Sequence, residues 1–253
     1  MFKPQYGINA KRKFHWKVII YLIVLFSVFS AAYACGAEVL FVVGKKDLRP
    51  GDLSIKSHLE DRGFNVVIRE DTIVKSEDAR GRDLVILSES ARSRKVGTKF
   101  RDVAVPVICS EPWIFSHLGM TGSTKKVDFG RKSRQKEFII INPEHPLCAS
   151  CTGKVQVCRK KFFMGWGIPG ENAIAVAGLL QDPDKCAIFA YEAGVEMPGL
   201  IAPAKRVGLF LFRNTANFFT PEGWCLFDCA VDWSIAAPQT ALKSGLQPKK
   251  TAE

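Results

Sequence analysis

Residues 103–113 read Val-Ala-Val-Pro-Val-Ile-Cys-Ser-Glu-Pro-Trp, an almost wholly apolar run that breaks off into a polar turn. Continuous apolar character with β-branched residues predicts a strand that is buried on both faces. Pro106 fits only near the start of such a strand, where it removes no ladder donor, and Pro112 biases Glu111 towards an extended or turn conformation. Because ligands of open α/β sheets bind beyond the carboxyl ends of the strands, this segment places the Glu111 carboxyl group at a candidate cleft.

Alternating strands and helices precede this central strand. Apolar runs at 38–43, 65–69 and 83–87 predict three further buried strands. Between the first two, Asp52 is expected to cap a helix that turns Leu53, Ile55 and Leu59 inward. The rhythm predicts right-handed βαβ crossovers and therefore an α/β domain with a parallel sheet.

The second half of the chain adds more strands and one long helix. Strands are predicted at 137–141, 154–158, 173–180, 186–191 and 206–212, and Thr220-Pro221 supplies the cap and first-turn proline of a helix. Segments 121–135 and 165–170 are expected to be exposed loops. Because no repeat and no linker divides residues 38–237, we predict one domain, followed by a disordered tail at 238–253.

The amino terminus has the pattern of an export signal. Lys11, Arg12, Lys13 and Lys17 precede an uncharged apolar run at 18–34, and small residues follow it. These features predict a signal peptide over residues 1–37, with a lipoprotein processed at Cys35 or an uncleaved anchor as the alternatives. All three place the domain outside the cytoplasm, either in the periplasm or secreted.

The net charge of +11 does not by itself indicate a nucleic-acid partner. Residues 1–37 contain five Lys and Arg residues and no acidic residue, and the remaining excess is scattered. The densest groups, 92–95 (Arg-Ser-Arg-Lys) and 131–134 (Arg-Lys-Ser-Arg), are short and lack interleaved aromatic residues, so we interpret them as solvated faces. We expect no nucleic-acid partner, and contact with a membrane only through the amino-terminal segment.

Several segments together resemble a known family. They are 39–44, the strand before Ser110-Glu111, His145-Pro146-Leu147, 187–192, 205–210 and Val231-Asp232-Trp233. Over nearly all of residues 38–237 the chain is similar to the trehalose-utilisation (ThuA-like) family of the class I glutamine amidotransferase-like fold, and within it to modules of exported bacterial proteins. The resemblance implies an α/β flavodoxin-like three-layer sandwich with a mostly parallel central sheet, and a connection with carbohydrates.

The chain departs from the amidotransferases of that fold at the nucleophile. Those enzymes use a cysteine on a sharp turn after the central strand, with a later histidine and glutamate. Here Glu111 takes the turn position, and Cys109 lies inside the apolar run, where burial makes a thiol a poor nucleophile. Because no Gly-x-Cys-x-Gly elbow and no Cys-His-Glu triad is evident, we expect no glutaminase chemistry.

Polar side chains at the predicted strand ends are the candidate site. Glu111 and His145 form the candidate catalytic pair, able to do general acid–base work or to hold a divalent cation. The candidate ligand-binding residues are Ser88, Glu89, Ser110, Trp113, Trp166, Glu192 and Asn214, with Trp166 as the first choice for stacking on a sugar. The alternative is that these polar residues merely cap strands and helices.

The cysteines leave several interpretations open. His145, Cys148, Cys151 and Cys158 have the ligand types of a zinc site, but the export signal favours disulfides. A Cys151–Cys158 or Cys148–Cys158 bridge and unbridged packing are the alternatives, and no cofactor is otherwise expected. Cys225 and Cys229 share one helix face and are expected in the core.

These observations predict a non-enzymatic, exported module that binds a polar ligand, such as a saccharide, at the carboxyl edge of the sheet. The alternatives are a hydrolase or isomerase acting on a sugar derivative with Glu111 and His145, metal-assisted or not, and a scaffold without ligand. A separation of Glu111 and His145 beyond about 10 Å would exclude direct cooperation. Glu111→Gln is predicted to weaken ligand binding and to leave stability nearly unchanged.

Overall fold

The computed structural model describes residues 36–237, whose strands join in one sheet. The strands are β1 (Glu38–Val43), β2 (Asn65–Glu70), β3 (Leu84–Leu87), β4 (Val107–Cys109), β5 (Phe129–Gln135), β6 (Glu137–Ile140), β7 (Lys154–Gln156), β8 (Phe162–Gly167), β9 (Ile174–Leu179), β10 (Asp182–Tyr191) and β11 (Arg206–Leu209). The α-helices are α1 (Pro50–Asp61), α2 (Ser93–Val96), α3 (Pro112–Phe115) and α4 (Pro221–Ile235), and 3-10 turns occupy Ser76–Ala79, Pro146–Cys148 and Thr215–Phe218.

The sheet has a parallel half and an antiparallel half. The order β2-β1-β3-β4-β11 is parallel throughout. The order continues through β10, β9, β6 and β7 with antiparallel neighbours, and β8 joins β10 to β5. The α/β class is therefore confirmed, with the predicted parallel sheet forming its centre and an antiparallel extension beyond β11.

Layers of apolar side chains cover both faces of the parallel half. Val39, Phe41 and Val43 of β1 pack with α1 and α4 on one face, whereas Leu40 and Val42 pack with the short helices on the other. Alternate residues of a strand point to opposite faces, so a continuous apolar run is what a doubly covered strand requires. The three-layer arrangement that the resemblance implied is confirmed.

Helix α1 differs from the prediction at its start. It begins at Pro50 after Arg49, so Asp52 lies within its first turn rather than at the cap. The Asp52 carboxylate is buried and accepts a hydrogen bond from the Ser88 hydroxyl. Leu53 is 53% exposed, whereas Ile55 and Leu59 are buried as predicted. Asp52, three residues before Ile55 and seven before Leu59, takes the inward position on the helix that Leu53 was expected to fill.

Both predicted loops of the second half contain strand. Within 121–135, β5 pairs with β8, which itself includes part of 165–170. Trp166 lies in β8 and is 5% exposed, so the expectation of an exposed stacking residue is wrong. A Cβ on Gly130, the cross-strand partner of Trp166, would lie 2.8 Å from the indole ring, so only glycine fits there. β5 was not predicted from the sequence because its exposed residues are polar.

Strand direction decides which strand ends meet. Tyr191 at the end of β10 pairs with Arg206 at the start of β11, so β10 ends at the edge where the parallel strands begin. The pairings through β9 give β6 the same direction as β10. Residues that come after β6 and β10 therefore lie on the edge opposite to Glu111.

In the described part of the chain, no helix is long and apolar enough to cross a membrane. The proposed export signal at 1–37 lies almost wholly outside residues 36–237, and the tail at 238–253 lies outside them completely. The export signal, the domain limits and the tail stay predictions.

Candidate functional site

A cleft of about 490 Å³ opens at the carboxyl edge of the parallel half. Its walls come from the segments after β3, β4 and β11, with contributions from Arg49 and from β5. The lining residues are Arg49, Glu89, Ser90, Ala91, Arg92, Ser93, Arg94, Lys95, Glu111, Trp113, Arg131, Phe212 and Arg213. The position is the one that the central strand predicted.

Glu111 enters the cleft because β4 stops two residues before it. The Ser110 amide still donates to the Leu87 carbonyl at 2.9 Å, which keeps the end of β4 in step with β3. Pro112 then starts α3, and the Glu111 carboxylate caps that helix by accepting from the Trp113 amide at 3.2 Å. One carboxyl oxygen is thereby occupied, and the residue is 8% exposed.

Glu89 faces the same cleft from the end of β3. Its Oε2 accepts from the Arg213 amide at 2.8 Å and lies 3.7 Å from the Arg49 guanidinium. Burial raises the pKa of Glu89 to about 7. Burial, together with the negative charge of Glu89, raises the pKa of Glu111 to about 8. Near neutral pH the pair therefore retains a proton, so the cleft offers both a carboxylate acceptor and a carboxyl donor.

A buried polar network supports the cleft from behind. Asp52, Ser88 and Ser90 are buried together, and the Gly44 amide donates to the Ser90 hydroxyl at 3.0 Å. Burial raises the pKa of Asp52. Ser110 is also buried, 3% exposed. Neither Ser88 nor Ser110 lines the cavity. The prediction that they contact the ligand is therefore corrected, because both are buried behind the cavity wall.

Aromatic rings and a guanidinium form the opposite wall. The Arg131 guanidinium carbon lies 5.3 Å from the Trp113 ring centre, 5.0 Å from Phe163 and 5.0 Å from Phe212. A guanidinium held by several π faces is attracted to them and loses freedom. Gly165, the cross-strand partner of Arg131, leaves room for Pro112 to pack on β8. The wall therefore joins β5 and β8 to the segment after β4.

His145 and Glu192 lie away from this cleft. The His145 ring packs against Trp233 at 5.7 Å, and the Trp233 carbonyl accepts from Lys205, the residue before β11. Glu111 is four residues beyond the start of β4, which places the edges roughly 13 Å apart. The structure does not bring Glu111 and His145 together, and the predicted catalytic pair is corrected. The two residues lie on opposite edges of the sheet because β6 and β10 run in the direction opposite to β4.

The remaining predicted residues have mixed placements. His145 Nδ1 accepts from the Leu147 amide at 3.3 Å, and burial lowers the pKa of this histidine. Asn214 comes after the cleft residue Arg213 and accepts from the Gly51 amide at 3.4 Å, so it ties α1 to the segment after β11. Glu89, Glu111 and Trp113 are the predicted residues that line the cavity.

Cysteines and metal ligands gather into no site within residues 36–237. No group of three or more His, Cys, Asp or Glu side chains there is arranged to hold a metal ion, so the four-residue zinc candidate is not assembled. The Cys148 thiol instead donates to the Pro143 carbonyl at 2.7 Å. All seven described cysteines are unbridged. Cys225 is exposed and Cys229 partly so, which corrects their expected place in the core.

The cationic side chains of the cleft were not among the site residues predicted from the sequence. Arg92, Arg94 and Lys95 come from one basic group, and Arg131 comes from the other. Arg49, Phe212 and Arg213 complete the rim. Both groups are visible in the sequence as basic runs. That they line the same cleft depends on contacts between segments that lie far apart in the chain.

Cys109 provides a test of the departure from amidotransferase chemistry. It is fully buried, its thiol donates to the Glu111 carbonyl at 3.5 Å, and burial raises its pKa far above the ordinary value. We expect iodoacetamide to label Cys225 in the native chain and Cys109 only after denaturation. Peptide mass mapping measures both, with Cys225→Ser as control. Rapid native labelling of Cys109 would contradict this prediction.

Comparisons with solved structures give remote likenesses. PurLQS from Thermotoga maritima is 16% identical with a TM-score of 0.44, over 78% of this chain and 98% of that one. A glutamine amidotransferase from Thermotoga maritima is 10% identical with a TM-score of 0.46, over 79% and 99%. SMU.1228c is 11% identical with a TM-score of 0.46, over 79% and 100%. No family model and no curated protein sequence matches the chain. Likeness at this level carries no argument about activity, so the strand order supports the fold class and the cleft geometry supports the function.

Proposed function

We propose that this chain is a ThuA-like module that binds a saccharide in the cleft at the carboxyl edge of the sheet. The observation that carries the proposal is the convergence of Glu89, Glu111 and Trp113 on one cavity. Saccharides present hydroxyl groups to hydrogen-bonding side chains and C–H faces to aromatic rings. The carboxyl pair and the indole ring supply both kinds of contact. The volume of about 490 Å³ lies within the usual range of small-molecule sites.

The export and family elements of the proposal come from the sequence. The basic and apolar pattern of residues 1–37 supports passage out of the cytoplasm. The segments that resemble the ThuA-like family support a connection with carbohydrates, and three of them correspond to the strands β1, β4 and β11 of the parallel half. A module that only binds a saccharide needs no catalytic residues, so the proposal does not require a reaction.

A hydrolase or isomerase is the second candidate, and the carboxyl pair favours it. Two carboxyl groups with raised pKa values, about 7 for Glu89 and about 8 for Glu111, suit a general acid and base. In this mechanism Glu89 replaces His145 as the partner of Glu111. A scaffold without ligand is the third candidate, and it leaves the partly buried carboxyl pair without a role.

A glycan-binding screen on the full chain, followed by calorimetry on the best ligand, tests the proposal. We expect Trp113→Ala to weaken binding about tenfold, which corresponds to about 1.4 kcal/mol, because the stacking surface is lost. Trp113→Phe retains a ring and should lose less. Incubation of the same ligand with the chain, read by mass spectrometry, separates a binder from an enzyme.

The control for this experiment is Glu171→Gln, an exposed carboxylate that does not line the cavity. It should bind as the parent chain does. Unchanged affinity in Trp113→Ala, or an equal loss in Glu171→Gln, would reject the cleft as the binding site.

A further inference from the structure

We infer that the ligand of the cleft is acidic, a sugar that carries a carboxylate or phosphate group. This inference rests on the proposed saccharide function and specifies its chemical class. The rim of the cleft is cationic well beyond what its own carboxyl groups neutralise. The lining contains six basic side chains, Arg49, Arg92, Arg94, Lys95, Arg131 and Arg213, against the two carboxyl groups of Glu89 and Glu111.

Two of these cations already have a carboxylate. Arg92 binds Asp71 through Nη2 at 2.6 Å and Nε at 2.9 Å, and its amide adds a third contact at 2.7 Å. Arg49 lies 3.7 Å from Glu89. Both pairs use acidic residues of the chain itself, so neither cation demands an external anion.

The other four cations have no such partner. Within residues 36–237, no carboxylate lies within ion-pair distance of Arg94, Lys95, Arg131 or Arg213. The charge surplus increases when the carboxyl pair retains a proton. Like charges gathered on one rim repel each other, whereas an anion in the cleft is attracted by all of them.

Arg131 and Arg213 are held in place before any ligand arrives. Three aromatic rings surround the Arg131 guanidinium, and Arg213 lies 5.5 Å from the face of Phe212. Arg213 also has φ of 50°, a left-handed conformation that is strained for a residue with a side chain. The hydrogen bond that its backbone amide donates to the Glu89 carboxylate holds that conformation at the cleft mouth, and functional sites are where such conformations concentrate. Ordered guanidinium groups bind an acid group at a lower entropic cost.

The two basic groups of the sequence, 92–95 and 131–134, therefore both contribute side chains to the cleft that contains Glu89 and Glu111. A ligand that matches this arrangement has an acid group for the guanidinium rim and hydroxyl groups for Glu89 and Glu111. A carboxylate or phosphate accepts a bidentate pair of hydrogen bonds from arginine. Uronic acids and sugar phosphates have this combination, and neutral sugars lack the first half of it.

Calorimetry on the full chain at pH 6 and low salt tests the inference with four probes: glucose, glucuronate, glucose 6-phosphate and inorganic phosphate. We expect at least one acidic sugar to bind roughly tenfold or more tightly than glucose. Arg131→Gln should remove most of that preference, because it should weaken the acidic sugar roughly tenfold and glucose by less, since glucose offers the guanidinium no acid group. Lys132→Gln is the matched control, because the next residue of β5 points to the other face and does not line the cavity.

Each outcome distinguishes this inference from the proposed function. Equal affinity for glucose and glucuronate would overturn the acidic ligand and retain a saccharide site. Binding of phosphate with no added gain from the sugar would retain the anion site and overturn the saccharide. Equal losses of affinity for the acidic sugar in Arg131→Gln and Lys132→Gln would show that the overall charge of the chain, and not the cleft, attracts the anion, and would overturn the inference. The absence of binding by all three anions would overturn it as well.

Discussion

Replacing Arg206 with alanine should destabilise the chain by about 4 kcal/mol, because several buried carbonyl groups lose their donor. Arg206 is fully buried at the start of β11. Its Nη1 donates to the carbonyls of Val105, Ala204 and Lys205 at 3.0–3.1 Å. Its Nη2 donates to those of Arg101 and Val103 at 3.3 and 2.8 Å. The side chain therefore fixes the loop that leads into β4.

Chemical denaturation measures this loss, with the exposed Arg80→Ala as control. Burial lowers the pKa of Arg206 to about 10, so the guanidinium is charged at neutral pH. Arg206→Lys retains the charge with fewer donors and should lose less than alanine. A stability of Arg206→Met equal to that of the parent chain would contradict the prediction, because it would mean that burying the charge costs as much as its hydrogen bonds contribute.

Replacing Glu111 with glutamine should stabilise the chain at alkaline pH and leave it unchanged at acid pH. The pKa of Glu111 rises from 4.5 to about 8 on folding, so the folded chain retains a proton that the unfolded chain releases. Stability of the parent chain therefore falls as pH rises from 4.5 to about 8. Glutamine resembles the protonated form and removes the part of this fall that Glu111 causes, while Glu89, whose pKa rises to about 7, contributes its own part in both chains.

The size of the effect depends on the pKa shift. At about 1.4 kcal/mol for each pH unit the full shift is worth about 4–5 kcal/mol, and water in the open cleft reduces the recovered part to about 2 kcal/mol. Urea denaturation from pH 4.5 to 9 measures it. The groups that act on Glu111 are Glu89, the Trp113 amide, Arg131 and Arg49. The unchanged stability that the sequence predicts for Glu111→Gln is thus expected only at the acid end.

Glu171→Gln serves again as the control, and it should match the parent chain at every pH. If the free energies of unfolding of Glu111→Gln and of the parent chain differ by the same amount at every pH, the Glu111 carboxyl group has the same pKa in the folded and unfolded chains, which would contradict the prediction. A loss of several kcal/mol at pH 5 would instead assign Glu111 a purely structural role as the cap of α3.

The central strand and the turn at its carboxyl end follow from the local amino-acid pattern alone. An apolar run with Pro106 at its start and Pro112 after its end specifies a buried strand that delivers Glu111 to an edge, and β4 with α3 has that form. Thr220 and Pro221 likewise specify the start of α4, where the Thr220 hydroxyl accepts from the Gly223 amide at 3.1 Å. Such features are local, because they depend on dihedral preferences and on hydrogen bonds within a few residues.

Which polar residues share a cleft depends instead on contacts between segments that lie far apart in the chain. Strand direction is set by pairing between distant segments, and the reversal of β6 and β10 moved His145 and Glu192 to the far edge. Pairing of β5 with β8 buried Trp166 and carried Arg131 to Trp113. A one-residue change of register turns a side chain to the other face, so no local pattern could assign Arg131 to the cleft and Lys132 to the opposite side.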